Sequence, residues 1–121
     1  MHNLRLQDLS IEIVKTSTSV YQCTWRGKSQ DRNPGETLQL WLDALIATVI
    51  DTGGSIEMHF EHIEHFNSST ITVLVRLIQA CRAKKVALVM VYNDALRWQV
   101  LSFDALRVFV MNDSLFQLRA A

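Results

Sequence analysis

Cysteine is scarce: Cys23 and Cys81 are the chain's two. That is too few for a disulfide framework, and they form no CxxC pair. Their apolar neighbours fit reduced thiols of a cytosolic protein. Net charge is lacking too, since twelve basic and twelve acidic side chains leave a formal charge of zero. No basic footprint for nucleic acid is present. Arg82, Lys84 and Lys85 cluster, but at a helix C-terminus, where cations are favoured anyway. No apolar run reaches the roughly eighteen residues of a membrane span. The start, Met1-His2-Asn3-Leu4-Arg5, has no signal-peptide core. The expectation is a cytoplasmic protein with no membrane insertion.

Catalytic motifs are missing as well. There is no GxSxG elbow, no HExxH pair, and no glycine-rich loop after a strand. His59, His62 and His65 invite a metal reading. On a strand His62 points away from the other two, and on a helix the three spread around the cylinder, so neither geometry converges them. Glu57, Glu61 and Glu64 read as a solvated face. Trp25, Trp41 and Trp98 fall within amphipathic patterns and read as core. No catalytic residue, metal or cofactor is expected.

What remains is a chain of 121 residues, 49% hydrophobic and 20% charged, enough for one core in one domain, 1–121. Ser10–Lys15 and Val20–Arg26 alternate across the polar link Thr16–Ser19, as in a β-hairpin. Gly27–Arg32 reads as a loop. Asn33-Pro34-Gly35-Glu36 opens a helix that Gly53-Gly54 closes. Ile56–Phe60 alternates as a strand, and Val86–Tyr92 is apolar enough for a strand buried on both faces. Asn93-Asp94 caps a short helix to about Ser102. Val108–Val110 reads as a last short strand, and Asp113 or Ser114 as the cap of a terminal helix. The pattern predicts an α/β fold: a mixed, mostly parallel sheet with an N-terminal antiparallel hairpin and about four helices.

The centre of the chain is Phe66-Asn67-Ser68-Ser69-Thr70 and the apolar run to Cys81. Asn67 and Ser68 suit a helix N-cap. Ile71, Leu74, Val75, Ile78 and Cys81 follow at helical spacing, with Thr72, Arg76 and Gln79 on the opposite face. A strand template also fits Ile71, Val73 and Val75, but about fifteen residues without a turn favour a helix. Two serines thus stand at a helix mouth, whose unpaired amides suit a phosphate, bound or attached.

The segment Gly54–Thr70 resembles the strand-to-helix passage of STAS domains, the fold of anti-sigma-factor antagonists, in which an Asp-Ser-Ser-Gly motif opens the helix. Lys85–Asn93 resembles that family's next strand, Asp94–Ser102 its next short helix, and Val108–Phe116 its last strand and capped helix. The resemblance spans residues 10–121 by pattern and Asn67–Thr70 by motif. It implies a non-enzymatic phospho-switch. Ser69 would be the phosphorylated serine, with Ser68 as runner-up, because the motif is also similar to SiaC-like biofilm regulators whose first hydroxyl is the acceptor. Asn67 replaces the family's Asp, and Thr70 its Gly. Asn67, Ser68, Thr70, Thr72 and Arg76 would face the partner. That partner would be a serine kinase or anti-sigma factor of the histidine-kinase-type ATPase fold, opposed by a PP2C-type phosphatase. The departures at Asn67 and Thr70 leave a second reading, a constitutive STAS subunit of a transporter such as a lipid-transport ABC system. A nucleotide or small-ligand binder at the same helix mouth is a third.

Overall fold

A computed structural model describes residues 1–33 and 36–121. Among the described residues the chain forms seven strands and three α-helices. Strands β1 (Leu4–Leu6), β2 (Leu9–Lys15) and β3 (Val20–Ser29) form an antiparallel meander. Helix α1 (Leu38–Thr52) leads to β4 (Ser55–His59) and β5 (Ile63–Phe66). Helix α2 (Ser68–Ala83), β6 (Leu88–Tyr92), α3 (Arg97–Leu106) and β7 (Phe116–Ala120) complete the chain. The sheet runs β1-β2-β3-β4-β6-β7, with β5 paired to β3. All pairs beyond the meander are parallel, so the mixed, mostly parallel sheet with its antiparallel start is as the pattern predicts.

Alternation decides which side is covered. Tyr21, Cys23 and Trp25 of β3, Ile56 and Met58 of β4, and Leu88, Met90 and Tyr92 of β6 share one core with the buried stripes of all three helices. The intervening Gln22, Thr24, Glu57 and His59 turn to the other face and stay half-exposed. Gly53 ends α1 in the left-handed conformation, its amide bonded to Ile50 O. No helix among the described residues is long and apolar enough to cross a membrane.

Several expectations need correction. Gly27–Ser29 is not loop but the end of β3, bent at an irregularity between Gly27 and Lys28. The first helix begins at Leu38 behind Thr37; Pro34 and Gly35, expected at its start, lie outside the described residues. Asn93 closes a turn by accepting from Ala95 N at 2.9 Å, and α3 starts only at Arg97. The C-terminal assignments are reversed. Arg107–Phe109 is a 3₁₀ turn rather than a strand, and Phe116–Ala120 is a strand rather than a fourth helix. The edge of β6 accounts for this, since it offers a complete ladder to β7. Asp113 does cap, but it caps the turn before β7 by accepting from Leu115 N at 3.1 Å. Arg82 holds it there at 3.0 Å and keeps its carboxyl below the usual carboxylate range.

Candidate functional site

Helix α2 begins where local chemistry tells it to. Asn67 has extended backbone, φ −89° and ψ 178°, and its Oδ1 accepts from Thr70 N at 3.0 Å. One orphan amide of the first turn is thereby satisfied. The cap is also tied to the sheet. Asn67 N donates to Ser29 O at 3.0 Å, and Asn67 Nδ2 donates to Asp31 O at 3.1 Å.

Thr70 closes the clamp from inside. Its hydroxyl lies 2.7 Å from Ser29 Oγ, 3.0 Å from Asn67 Oδ1 and 3.2 Å from Ser29 O. Both Thr70 and Ser29 are buried. Thr70, expected to face a partner, is therefore scaffold. The threonine side chain bolts the helix start to β3. Thr70→Val keeps the shape but removes the hydroxyl, stranding the buried Ser29 Oγ. Loss of a buried partner costs about 1–3 kcal/mol, and we expect about 2 kcal/mol in urea unfolding. A change within error would mean that Ser29 re-pairs elsewhere.

Ser68 and Ser69 stand just outside this clamp. Ser68 is exposed and Ser69 half-buried, and neither hydroxyl has a hydrogen-bond partner among the described residues. Their amides occupy the first two helical positions, where no intrahelical acceptor exists. The first turn holds no acidic residue, so the partial positive charge of the helix end is uncancelled. Thr72 is exposed, its Oγ1 donating back to Ser68 O at 3.2 Å. Arg76 is exposed one turn further on. The buried stripe of α2 is Thr70, Val73, Leu74, Leu77, Ile78 and Cys81. Ile71 and Val75, expected in it from their spacing, are only half-buried.

Two supports were missed. Phe66, next to the cap, packs against Trp98 at 5.1 Å, Phe103 at 5.8 Å and Phe60 at 6.2 Å between centroids. Gln99 is wholly buried. Its Nε2 donates to Phe60 O at 2.8 Å and Ile63 O at 3.3 Å, and its Oε1 accepts from Asn93 N at 2.8 Å. One side chain thus fixes the β4–β5 turn, which carries β5 to the motif. Only the helical spacing of Gln99, Phe103 and Leu106 hinted at this.

Other chemistry finds little footing. His59 lies between Glu57 (Nε2 to Oε1, 2.6 Å) and Glu61 (Nδ1 to Oε1, 3.0 Å), so both ring nitrogens are engaged. His62 is exposed, and the exposed His65 lies 6.4 Å from the Trp98 ring. No three His, Cys, Asp or Glu side chains converge as metal ligands among the described residues. Burial pushes the Cys23 and Cys81 thiols up to about 12, away from the thiolate a nucleophile needs.

No family model and no curated protein matches the chain. Solved structures do match in shape. An anti-sigma factor antagonist from Mycobacterium paratuberculosis superposes with a TM-score of 0.67 at 13% identity, over 96% of this chain and 90% of that one. The chain has the STAS fold. SpoIIAA, the Bacillus cell fate determinant, in its phosphorylated form gives 0.58 at 14% identity, over 92% of this chain and 90% of that one. A chain from the complex of the diguanylate cyclase SiaD with its activator SiaC, from Pseudomonas aeruginosa, gives 0.65 at 13% identity, over 98% of both chains. Within this fold, Asn67–Thr70 opens α2 directly after β5.

Proposed function

We propose that this chain is a non-enzymatic phospho-switch of the anti-sigma-factor antagonist type. Its unphosphorylated form would bind a serine kinase or anti-sigma factor of the histidine-kinase-type ATPase fold, in the cytoplasm, and a PP2C-type phosphatase would reset it. The observation that carries this reading is the division of labour at the mouth of α2. Asn67 and Thr70 are consumed in the clamp, whereas the hydroxyls of Ser68 and Ser69 have no partner among the described residues and stand over open amides. A phosphate there gains about 0.3–1 kcal/mol from the helix end, so phosphorylation leaves the fold intact and acts on the partner. That SpoIIAA, of the same fold, has been solved both phosphorylated and unphosphorylated supports the reading.

The test is phosphopeptide mapping after incubation with a candidate kinase and ATP. Phosphate is expected on Ser69 and none on the buried Thr70. No phosphate on Ser68 or Ser69 with a kinase active on other substrates would sink the switch and leave the constitutive-subunit reading. A second outcome has its own support. Ser68 is the more exposed hydroxyl, and the match to the SiaD–SiaC complex runs nearly end to end. Phosphate on Ser68 alone would favour a SiaC-like activator, with a diguanylate cyclase as the partner to try.

The partner surface has a separate check. Arg76 is exposed on the helix face that also carries Thr72. Arg76→Glu is expected to weaken partner binding about tenfold while changing stability by less than about 0.5 kcal/mol. Undiminished affinity would place the interface elsewhere.

A further inference from the structure

The outer surface of α1 is at odds with an isolated chain. In Leu38–Thr52 the charged residues are Asp43 and Asp51 alone, and the outward positions include Leu40, Ala44, Ala47 and Ile50. Leu40 is 66% and Ile50 46% exposed. Polar residues are present on the same surface, Asp43 and Asp51 among them, but a run of exposed apolar side chains along one helix marks a surface for association. Beside it, Asp43, Ile46, Ala47 and Ile50 of α1 face Ala80 and Ala83 of α2, and its C-cap Lys84, across a groove of about 390 Å³. The alanines keep its floor shallow, so another helix can approach closely.

We propose that this face binds a second copy of the chain, α1 against α1 in antiparallel crossing about a two-fold axis. Three features of the face are self-complementary, as an isologous contact requires. The protruding Leu40 and the groove beside Ile50 are ten residues apart on α1, about 15 Å. Antiparallel pairing sets the start of one α1 over the end of the other, which brings Leu40 of each copy to the groove of the other. The small Ala44 and Ala47 then meet at the crossing point. Lys84, at the far end of the groove, comes level with the first turns of the second copy and meets its Asp43, an opposite charge, twice by symmetry.

The contact is modest. Two helix faces about 22 Å long and 20 Å wide cover less than the roughly 800 Å² per partner of a standard interface. A reversible dimer, half-formed at about 100 µM, is expected on that footing. The switch end of the molecule stays free. Ser69 and Lys84 lie fifteen residues apart along α2 and its C-cap, about 22 Å, so the dimer would present two open helix mouths.

Sedimentation velocity of the full chain from about 5 to 500 µM tests this. The expected result is a concentration-dependent dimer that Leu40→Glu and Lys84→Glu each weaken at least tenfold. Asp43→Lys combined with Lys84→Glu should restore it. Leu40 is exposed, so its substitution leaves the core intact, which thermal unfolding verifies. Val108→Glu removes an even more exposed apolar residue beyond α3, 75% accessible, and should leave the dimer unchanged. A monomer at all concentrations overturns the proposal, as does a dimer indifferent to Leu40→Glu or abolished by Val108→Glu.

Discussion

Gly27→Ala is expected to lower the unfolding free energy by about 3 kcal/mol or more. Gly27 has φ +86°, and a Cβ there would lie 1.9 Å from the backbone oxygen of Asp8. The left-handed conformation alone costs a non-glycine residue about 1–2 kcal/mol, and relieving the clash by moving backbone adds about 1–3 kcal/mol. The same turn holds the bond from Lys28 N to Asp8 O at 3.1 Å. Gly27 is also where β3 changes neighbours, pairing with β4 at Val20–Thr24 and with β5 from Gly27 to Ser29. A shift there pulls Ser29 away from Asn67 and Thr70, so a change far from the serines should loosen the cap. Gly53→Ala is the control. Its φ is +69°, but nothing lies within 4 Å of the new Cβ, so only the conformational cost of about 1–2 kcal/mol applies. Urea unfolding of both variants, with hydrogen exchange at the Asn67 amide, decides. Equal costs for the two would show that the bend in β3 absorbs the clash and does not hold the site.

Phosphorylation of Ser69 is expected to weaken partner binding at least a hundredfold while leaving thermal stability nearly unchanged. The phosphate brings about −1.5 to −2 charges. A charge buried without compensation in an interface costs about 3–5 kcal/mol, which is a hundredfold or more in affinity. Ser69→Ala should stay folded, because Asn67 and not Ser69 caps α2, and it should bind permanently. Ser69→Asp should release the partner incompletely, having one charge and two oxygens in place of nearly two and three. Ser68→Ala serves as the matched variant and should still switch. Calorimetric titration of the purified partner against the phosphorylated and unphosphorylated forms reads the difference directly. Equal affinities would exclude a switch at Ser69, whatever the kinase does.

The parts legible in the sequence were those set by local chemistry. Asn67 as a cap and Gly53 as a stop need only their own side chain, or its absence, and the nearest amides. The hairpin and the apolar run of β6 declare themselves by period. What depends on distant partners was not legible. The apolar triplet Val108-Phe109-Val110 is equally good strand and turn, and only the edge of β6 makes Phe116–Ala120 the strand instead. β5 pairs with β3 only from Gly27 onward, thirty-nine residues before Phe66, and no short window of sequence contains both. The burial of Thr70 was recoverable: it stands three and four residues before Val73 and Leu74, on their stripe. Ser68, Ser69 and Thr70 form a run of three hydroxyls in the sequence, whereas the helix repeat assigns Thr70 to the interior.

The clamp between Ser29 and Thr70 closes a loop of forty-one residues. Such closure forfeits chain entropy before it returns any contact energy, and long-range pairings of this kind form slowly. The helix mouth is therefore complete only once β3 and the start of α2 have met across that loop. A nascent chain on the ribosome, or a peptide copied from α2, contains the same serines without the geometry around them. An enzyme that reads that geometry would modify finished molecules and pass over unfinished ones.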